Sequence, residues 1–199
     1  MEPLNQSRIS DKEIDHCVHL LQKNGIKLVV FDMDLTAVSE HSRGQLLRSN
    51  VRDYVSKATP AFLAFVPKLQ QHGFYLAIAT HSDEAEFDGP IQRDTHILGM
   101  ELATRLVHDC FPMEVSSAFS IVAYNPRVHP EHDSELNKYK RYHMRVLLAK
   151  YGVQGNEVAF FDDTLAVVDD CLNHCGIIHA VQVDDNIGFQ IDDVINNFR

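Results

Sequence analysis

Five short apolar runs constrain the fold of this chain more than any other feature of its sequence. Each run is nearly continuous rather than alternating, as expected for parallel strands that are covered on both faces. The runs are Leu28–Phe31, Tyr75–Ala79, Phe119–Tyr124, Val158–Phe161 and Ile177–Val183. They predict five strands of a central parallel sheet.

Segments with helical spacing separate these runs. The predicted helices lie near residues 10–25, 60–72, 95–110, 139–151, 165–175 and 191–198. The first opens with a capping-box pattern of Ser10 and Glu13, and the second opens with Thr59-Pro60. This alternation predicts an α/β fold, a three-layer α/β/α sandwich that forms one domain over residues 1–199.

The charge balance of the chain argues against polyanionic partners. Its 199 residues include 18 Lys and Arg against 28 Asp and Glu, for a net charge of −10. Such a balance repels nucleic-acid backbones and anionic membrane surfaces, so we expect neither as a partner.

Two features favour a cytoplasmic protein. No apolar run is long enough to span a bilayer, and residues 1–16, of which 1–9 are predicted to be a flexible arm, contain no apolar signal core. The four cysteines lack the spacing of a disulfide framework, so we interpret them as core thiols in a reducing compartment. Export or delivery to another cell by another kind of signal stays open.

Polar residues follow three of the predicted strands. Asp32-Met33-Asp34 follows the first, Thr80 the second, and Asp162-Asp163 the fourth. The carboxyl ends of parallel strands form the ligand-binding edge of such folds, so these side chains should converge. Converging carboxylates repel one another unless a cation compensates them, and Mg²⁺ prefers oxygen ligands. The sequence therefore predicts a magnesium site and a nearby lysine.

The order of these groups resembles that of a known family. The chain is similar to phosphatases of the haloacid-dehalogenase superfamily in four motifs: Asp32-x-Asp34-x-Thr36, Thr80, a lysine near the start of the predicted helix 139–151, and Asp162-Asp163. The match covers residues 26–185 and looks closest to the small magnesium-dependent protein phosphatases, which have a Rossmann-like sheet.

The resemblance implies a two-step hydrolysis. Asp32 would attack phosphorus and form an aspartyl-phosphate. Asp34 would protonate the leaving oxygen and then deprotonate the attacking water. These roles imply that Asp32 is held ionised while Asp34 keeps a proton for the first step.

The resemblance also implies a ligand set for the metal and the phosphate. Mg²⁺ would be held by Asp32, the backbone carbonyl of Asp34, and Asp162, with Asp163 contributing directly or through water. The predicted phosphate and substrate ligands are Thr36, within the loop that supplies backbone N–H groups, together with Thr80, Lys140 and Arg43.

Two of these assignments leave alternatives. Lys138 and Lys140 both lie near the predicted helix start, and we favour Lys140 because its distance to Asp162 suits the family pattern better. Relatives often carry Asn where this chain has Val167, which puts the support of Asp162 and Asp163 in question.

Other conspicuous residues have simpler interpretations. His129, His132 and His143 are spaced irregularly, so we interpret them as a solvated surface rather than a transition-metal site. The acidic pairs are interpreted as exposed helix ends or caps: Asp169-Asp170, Asp184-Asp185 and Asp192-Asp193.

The spacing of the motifs leaves no room for a large cap domain. Residues 37–58 form a flap or lip segment that is locally basic, with Arg43, Arg48, Arg52 and Lys57. An open site with a basic lip suits a phosphoprotein, and we predict a phosphotyrosine-type protein phosphatase. A small-metabolite phosphatase of the same family and a catalytically silent binding module remain the alternatives. The sequence does not indicate the oligomeric state.

Overall fold

A computed structural model describes residues 9–43, 46–88, 91–129 and 135–199. Five parallel strands form its central sheet in the order β5-β3-β1-β6-β7. Their bounds are Leu28–Phe31 (β1), Tyr75–Thr80 (β3), Phe119–Ala123 (β5), Val158–Asp162 (β6) and His179–Gln182 (β7). Each lies within one or two residues of its predicted position. Most of the predicted N-terminal arm lies outside the described residues.

Helices connect the strands as the punctuation in the sequence predicts. The α-helices are Asp11–Lys23 (α1), Val51–Val55 (α2), Pro60–Gln71 (α3), Gly99–Cys110 (α4), Met113–Ser116 (α5), Arg141–Tyr151 (α6), Leu165–His174 (α7) and Ile191–Asn197 (α8). Ser10 and Glu13 form the predicted capping box of α1, and the Thr59 hydroxyl caps α3.

The strands bury side chains on both faces of the sheet. In β1, Val29 and Phe31 enter the larger apolar cluster, whereas Leu28 and Val30 enter the smaller one. The larger cluster packs under α1, α3, α4, α5 and α8, and the smaller one under α6 and α7. The continuous apolar runs are explained by this double coverage, and the three-layer α/β/α sandwich is confirmed.

An aromatic cluster occupies the centre of the larger layer. The Phe31 ring lies 5.2 Å from Phe62, 5.4 Å from Phe161 and 5.1 Å from Phe189, measured between ring centroids. Each such pair adds about 0.5–1.5 kcal/mol beyond area burial. These contacts fix β1 against α3 and β6, directly below the ends of the strands.

A second, two-stranded sheet was not predicted. Leu46–Leu47 (β2) pairs antiparallel with His96–Ile97 (β4), which links the insertion after β1 to the insertion after β3. The predicted helix over residues 95–110 therefore begins only at Gly99. Among the described residues, these insertions contain short helices and this small sheet, and no cap domain.

The cysteines follow their predicted interpretation in part. Cys17 and Cys171 are fully buried, whereas Cys110 and Cys175 are partly exposed. Within the described parts of the chain, no helix combines the length and apolar character needed to cross a membrane.

Candidate active site

The carboxyl ends of β1, β3 and β6 meet at one edge of the sheet because these strands are parallel and adjacent. A cavity of about 320 Å³ opens there. Seven residues predicted from the sequence line this cavity: Asp32, Asp34, Arg43, Thr80, Lys140, Asp162 and Asp163. The sheet thus gathers side chains from four distant segments at one place.

Lys140 and Asp32 form a buried ion pair at the base of the cavity. The Lys140 Nζ donates to Asp32 Oδ1 at 2.6 Å and to the Ala79 carbonyl at 2.5 Å. The lysine side chain is 1% exposed. Burial raises the pKa of Asp32, and the negative charges of Asp34 and Asp163 add to the shift. The Lys140 charge opposes it but does not cancel it. The pair therefore places a positive and a negative charge where a substrate or a cation can interact with them.

The structure distinguishes between the two candidate lysines. Lys140 precedes α6 and points at Asp32, whereas the exposed Lys138 lies 3.8 Å from Glu135. Lys140 is therefore the lysine placed in the cavity, as favoured from the sequence.

Asp162 presents an uncompensated oxygen. Its Oδ1 accepts the Thr164 N–H at 2.9 Å, but the buried Oδ2 has no hydrogen-bond partner among the described residues. Burial, followed by the charge of Asp32, raises the pKa of Asp162 well above its ordinary value. A bound cation would offset the repulsion between the Asp32 and Asp162 carboxylates and would give Asp162 Oδ2 a partner. The two carboxylates therefore fit Mg²⁺.

The acidic side chains do not form a complete cage. Among the residues that the structure describes, no group of three or more His, Cys, Asp and Glu side chains is arranged to hold a metal. Asp163 is half-buried, and its Oδ2 accepts from the Thr164 hydroxyl at 3.4 Å. A site with two carboxylates suits Mg²⁺, which usually keeps several waters and uses phosphate oxygens as further ligands.

Three donors from the flap segment hold the Asp34 carboxylate. The Tyr54 hydroxyl donates to Oδ1, and the Ser42 hydroxyl donates to Oδ2 at 2.7 Å. His41 Nδ1 lies 2.9 Å from Oδ2. Tyr54 is buried on α2, so the flap reaches Asp34 through a rigid side chain. This partner set was not predicted, because Tyr54 is separated from Asp34 by 20 positions.

The pKa shifts of the two aspartates run opposite to the roles that the family resemblance implies, since the pKa of Asp32 is raised and that of Asp34 is lowered. Burial raises the pKa of Asp34, but hydrogen bonds from His41, Tyr54 and Ser42 outweigh it and leave the pKa lowered. The hydrogen bond to Asp34 in turn raises the pKa of His41. The 2.9 Å contact between Asp34 Oδ2 and His41 Nδ1 needs one proton on either atom to be a hydrogen bond, and the Arg43 N–H also lies 2.9 Å from Nδ1.

The two threonines of the motifs occupy different positions. Thr80 is buried at the cavity wall, where its Oγ1 accepts the Ser82 N–H at 3.1 Å, so its own proton remains to be donated. Thr36 is fully buried and does not line the cavity. Its carbonyl accepts the Phe189 N–H at 2.9 Å. The buried Thr36 Oγ1 has no hydrogen-bond partner among the described residues, and the assignment of Thr36 to the phosphate stays a prediction.

The basic lip divides into two parts. Arg43 is exposed at the cavity mouth, whereas Arg48 and Arg52 line a separate groove between α2 and α4. Arg48 forms two hydrogen bonds to Glu101, at 2.6 and 2.8 Å. Of the basic lip residues in the described part of the chain, Arg43 lines the cavity, whereas Arg48 and Arg52 do not.

Sequence reasoning assigned no role to several cavity residues. His81, Asn125 and Arg127 line the cavity beside the predicted groups. Arg127 follows β5 in a short 3₁₀ helix, Pro126–Val128, so the rule that inspects residues after each strand would have found it. Val167 also lines the cavity and is buried, and its apolar side chain offers Asp162 no hydrogen bond.

Three predicted surface residues are buried or paired instead. His143 is fully buried, and Asp170 is buried in a pair with Arg141 at 2.6 Å. His129 is half-buried and lies 2.8 Å from Asp83. Each has a partner far away in the sequence, which no local pattern indicates. His132 lies outside the described residues.

Comparisons with known proteins add little. No protein-family model matches the chain, and no curated protein matches it. A solved structure of a hypothetical protein from Xanthomonas campestris covers 86% of this chain and 70% of that one, at 16% identity and a TM-score of 0.42. Such a similarity supports no functional conclusion, so function must be argued from the cavity.

Proposed function

We propose that the protein is a magnesium-dependent phosphomonoester hydrolase that works through an aspartyl-phosphate on Asp32. One observation carries the proposal: the buried Lys140–Asp32 pair lies in the same cavity as the orphaned Oδ2 of Asp162. A lysine that neutralises a carboxylate, beside a second carboxylate with no partner, suits a dianionic phosphate together with a divalent cation.

Binding would use groups already aimed into the cavity. The Thr80 hydroxyl would donate to a phosphoryl oxygen, and Lys140 would neutralise that oxygen while keeping Asp32 ionised. Asp32 and Asp162 would hold Mg²⁺, which supplies charge neutralisation for the transferring group.

Chemistry would proceed in two displacements. An Asp32 carboxylate oxygen attacks phosphorus, and the bond between phosphorus and the leaving oxygen breaks. The proton between Asp34 and His41 moves to that leaving oxygen. Asp34 then takes a proton from water as the water attacks the aspartyl-phosphate, which releases phosphate and restores Asp32.

The substrate we propose is a phosphotyrosine side chain of a protein. The cavity mouth carries Arg43 and Arg127, and no cap domain is present among the described residues to enclose a small metabolite. Phosphotyrosine projects its phosphate far from the backbone, and its phenol leaves more readily than an alkyl alcohol. The two arginines would contact the anionic flanks of the peptide.

The test is phosphate release from a panel of phosphotyrosine peptides, phosphoserine peptides and sugar phosphates, with and without Mg²⁺. We expect Asp32→Asn to lower kcat by roughly 10³-fold or more while the fold stays intact. Asp169→Asn, on the exposed face of α7, is the matched control and should keep full activity. Excess chelator should remove turnover, and added Mg²⁺ should restore it.

Several results would contradict the proposal. Turnover that survives in Asp32→Asn, or in excess chelator, would exclude this mechanism. Tight binding of phosphopeptides without hydrolysis would favour a binding module. A sugar phosphate preferred by about tenfold, or 1.4 kcal/mol of transition-state preference, would replace the protein substrate with a metabolite.

A further inference from the structure

We propose that His81 and His143 are positioning residues that hold Lys140 and Thr80 in their working geometry. This inference rests on the proposed function, since it assigns both histidines to the same site. His81 follows β3 directly, and His143 lies in the first turn of α6. Each histidine reaches across to the other segment.

The two contacts are reciprocal. His81 Nε2 lies 2.9 Å from the Tyr139 carbonyl, and His143 Nε2 lies 2.8 Å from the Thr80 carbonyl. A carbonyl oxygen can only accept, so each Nε2 must carry the proton and donate. Two hydrogen bonds therefore join the end of β3 to the start of α6. The hydrogen bond from Lys140 Nζ to the Ala79 carbonyl links the same two segments.

The His81 contact acts on a strained turn. Tyr139 has a φ of 50°, in the left-handed region that non-glycine residues seldom adopt. It immediately precedes Lys140, so the direction of its carbonyl and the start of the lysine side chain are set by the same turn. The hydrogen bond from His81 holds the turn in this conformation. Without it the turn can relax and withdraw the Nζ from Asp32.

The hydrogen bond from His143 holds the backbone of Thr80 at the end of β3. The Thr80 carbonyl is followed by the peptide that carries His81, and the Thr80 hydroxyl lines the cavity. His143 is fully buried, and its Nδ1 has no hydrogen-bond partner among the described residues, so its one hydrogen bond, together with contacts to the rings of His81, Tyr124 and Tyr142, defines the orientation of the ring. The ring is thus aimed at the backbone of the residue that would bind phosphate.

Attachment of α6 to the sheet does not require these bonds. Met144 and Leu147 pack the helix into the smaller apolar cluster, and Arg141 joins it to Asp170 of α7. The histidines instead set the rotation of the first turn, where Lys140 begins. Burial also lowers the pKa of both imidazoles, and the Lys140 charge adds to this effect, which favours neutral rings that do not compete with Lys140 for Asp32.

The experiment compares kcat and KM for an aryl phosphate in the full chain with His81→Leu and His143→Leu. Because a misplacement of about 1 Å costs roughly 100-fold, we expect kcat to fall by about 10- to 100-fold. His81→Gln, whose amide N–H can still reach the carbonyl, should recover most of the loss. His19→Leu, at an exposed site on α1, is the control and should match the wild type.

Two further measurements separate positioning from general support. In a Lys140→Ala background, His81→Leu should add almost nothing, since the lysine it positions is absent. Imidazole ¹⁵N chemical shifts of the wild type should show the Nε2–H tautomer at both positions. A full additional loss in the double variant, or the Nδ1–H tautomer, would overturn the inference.

The possible failures can be told apart. A wild type that hydrolyses no phosphomonoester would refute the proposed function itself. An active wild type whose His81→Leu variant is folded and retains its kcat would refute only the positioning role. If His143→Leu does not fold, His81→Leu and His81→Gln decide the question.

Discussion

At the scale of single residues, the cavity keeps charges that would destabilise an ordinary core. Removing one partner from a buried ion pair leaves the other uncompensated and costs about 3–5 kcal/mol, whereas well-packed apolar residues would be neutral or better there. Lys140 and Asp32 therefore stabilise the folded state no more than a well-packed apolar pair would. The catalytic role proposed above would explain why the chain carries them.

Replacement of the buried lysine tests this directly. We expect Lys140→Ala to lower kcat by roughly 10³-fold or more, because it removes the charge that faces both Asp32 and the phosphoryl oxygen. Lys138→Ala removes an exposed side chain and should change kcat by less than about twofold. Steady-state kinetics with an aryl phosphate measure both. Equal losses in the two variants would remove Lys140 from its role.

Substitutions of the two arginines at the cavity mouth distinguish peptide binding from catalysis. We expect Arg43→Ala and Arg127→Ala to raise KM for an acidic phosphotyrosine peptide by about 3- to 10-fold, while KM for a small aryl phosphate stays constant. Arg52→Ala provides the control because Arg52 lines the separate groove. If KM for the small substrate rises equally, the arginines contact the phosphate and not the peptide.

At the scale of elements, the short helix α2 within the flap contributes a hydrogen bond to Asp34. Its buried Tyr54 places a hydroxyl on one carboxylate oxygen, while Ser42 and His41 engage the other. Asp34 thus depends for its orientation on a segment that shares no strand with it. This arrangement couples the conformation of the flap to the proposed proton donor.

Tyr54→Phe isolates that coupling, because it removes the hydroxyl and keeps the ring. We expect kcat/KM to fall by about tenfold for alkyl phosphates, whose leaving oxygen needs a proton, and to change little for aryl phosphates with good leaving groups. Tyr75→Phe, at a half-exposed tyrosine that stacks on Tyr151, is the control. An equal loss on both classes of substrate would mean that Tyr54 supports the fold rather than the proton donor.

At the scale of the whole molecule, buried neutral histidines link stability to pH. Burial, with the Lys140 charge, lowers the pKa of His81 to about 3, below the ordinary 6.5 of an unfolded chain. Below pH 6.5 the unfolded state therefore binds a proton that the folded state does not. Stability from this group is fully present above pH 6.5 and is lost as the pH falls toward 3.

The variant His81→Gln tests the sign of this linkage. We expect the free energy of unfolding of the wild type, relative to the variant, to decrease by about 1.4 kcal/mol per pH unit below pH 6.5. Urea unfolding of both proteins between pH 4.5 and 7.5 measures the difference. The comparison is needed because partly buried acids with raised pKa, such as Asp193, shift stability in the opposite direction. A constant difference would show that His81 is not neutral in the fold.

Much of the architecture follows from local patterns in the sequence. A parallel strand covered on both faces must be apolar at nearly every position, so β1 and β6 are visible as runs. Helix starts are visible because their free N–H groups need caps such as Ser10. Once the strands are placed, the residues that follow them fall at one edge of the sheet, which is why Asp32, Thr80 and Asp162 were found.

Tertiary structure alone decided which polar side chains are buried and with whom they pair. Tyr54 meets Asp34, and His143 meets Thr80, across separations of 20 and 63 positions. Thr36 has the right residue type and spacing, yet it is fully buried, lies outside the cavity lining and accepts the Phe189 N–H on its carbonyl. The two-residue strands of β2–β4 are too short to leave an apolar pattern. Local propensity determines where an element begins, whereas a long-range contact depends on how the layers close.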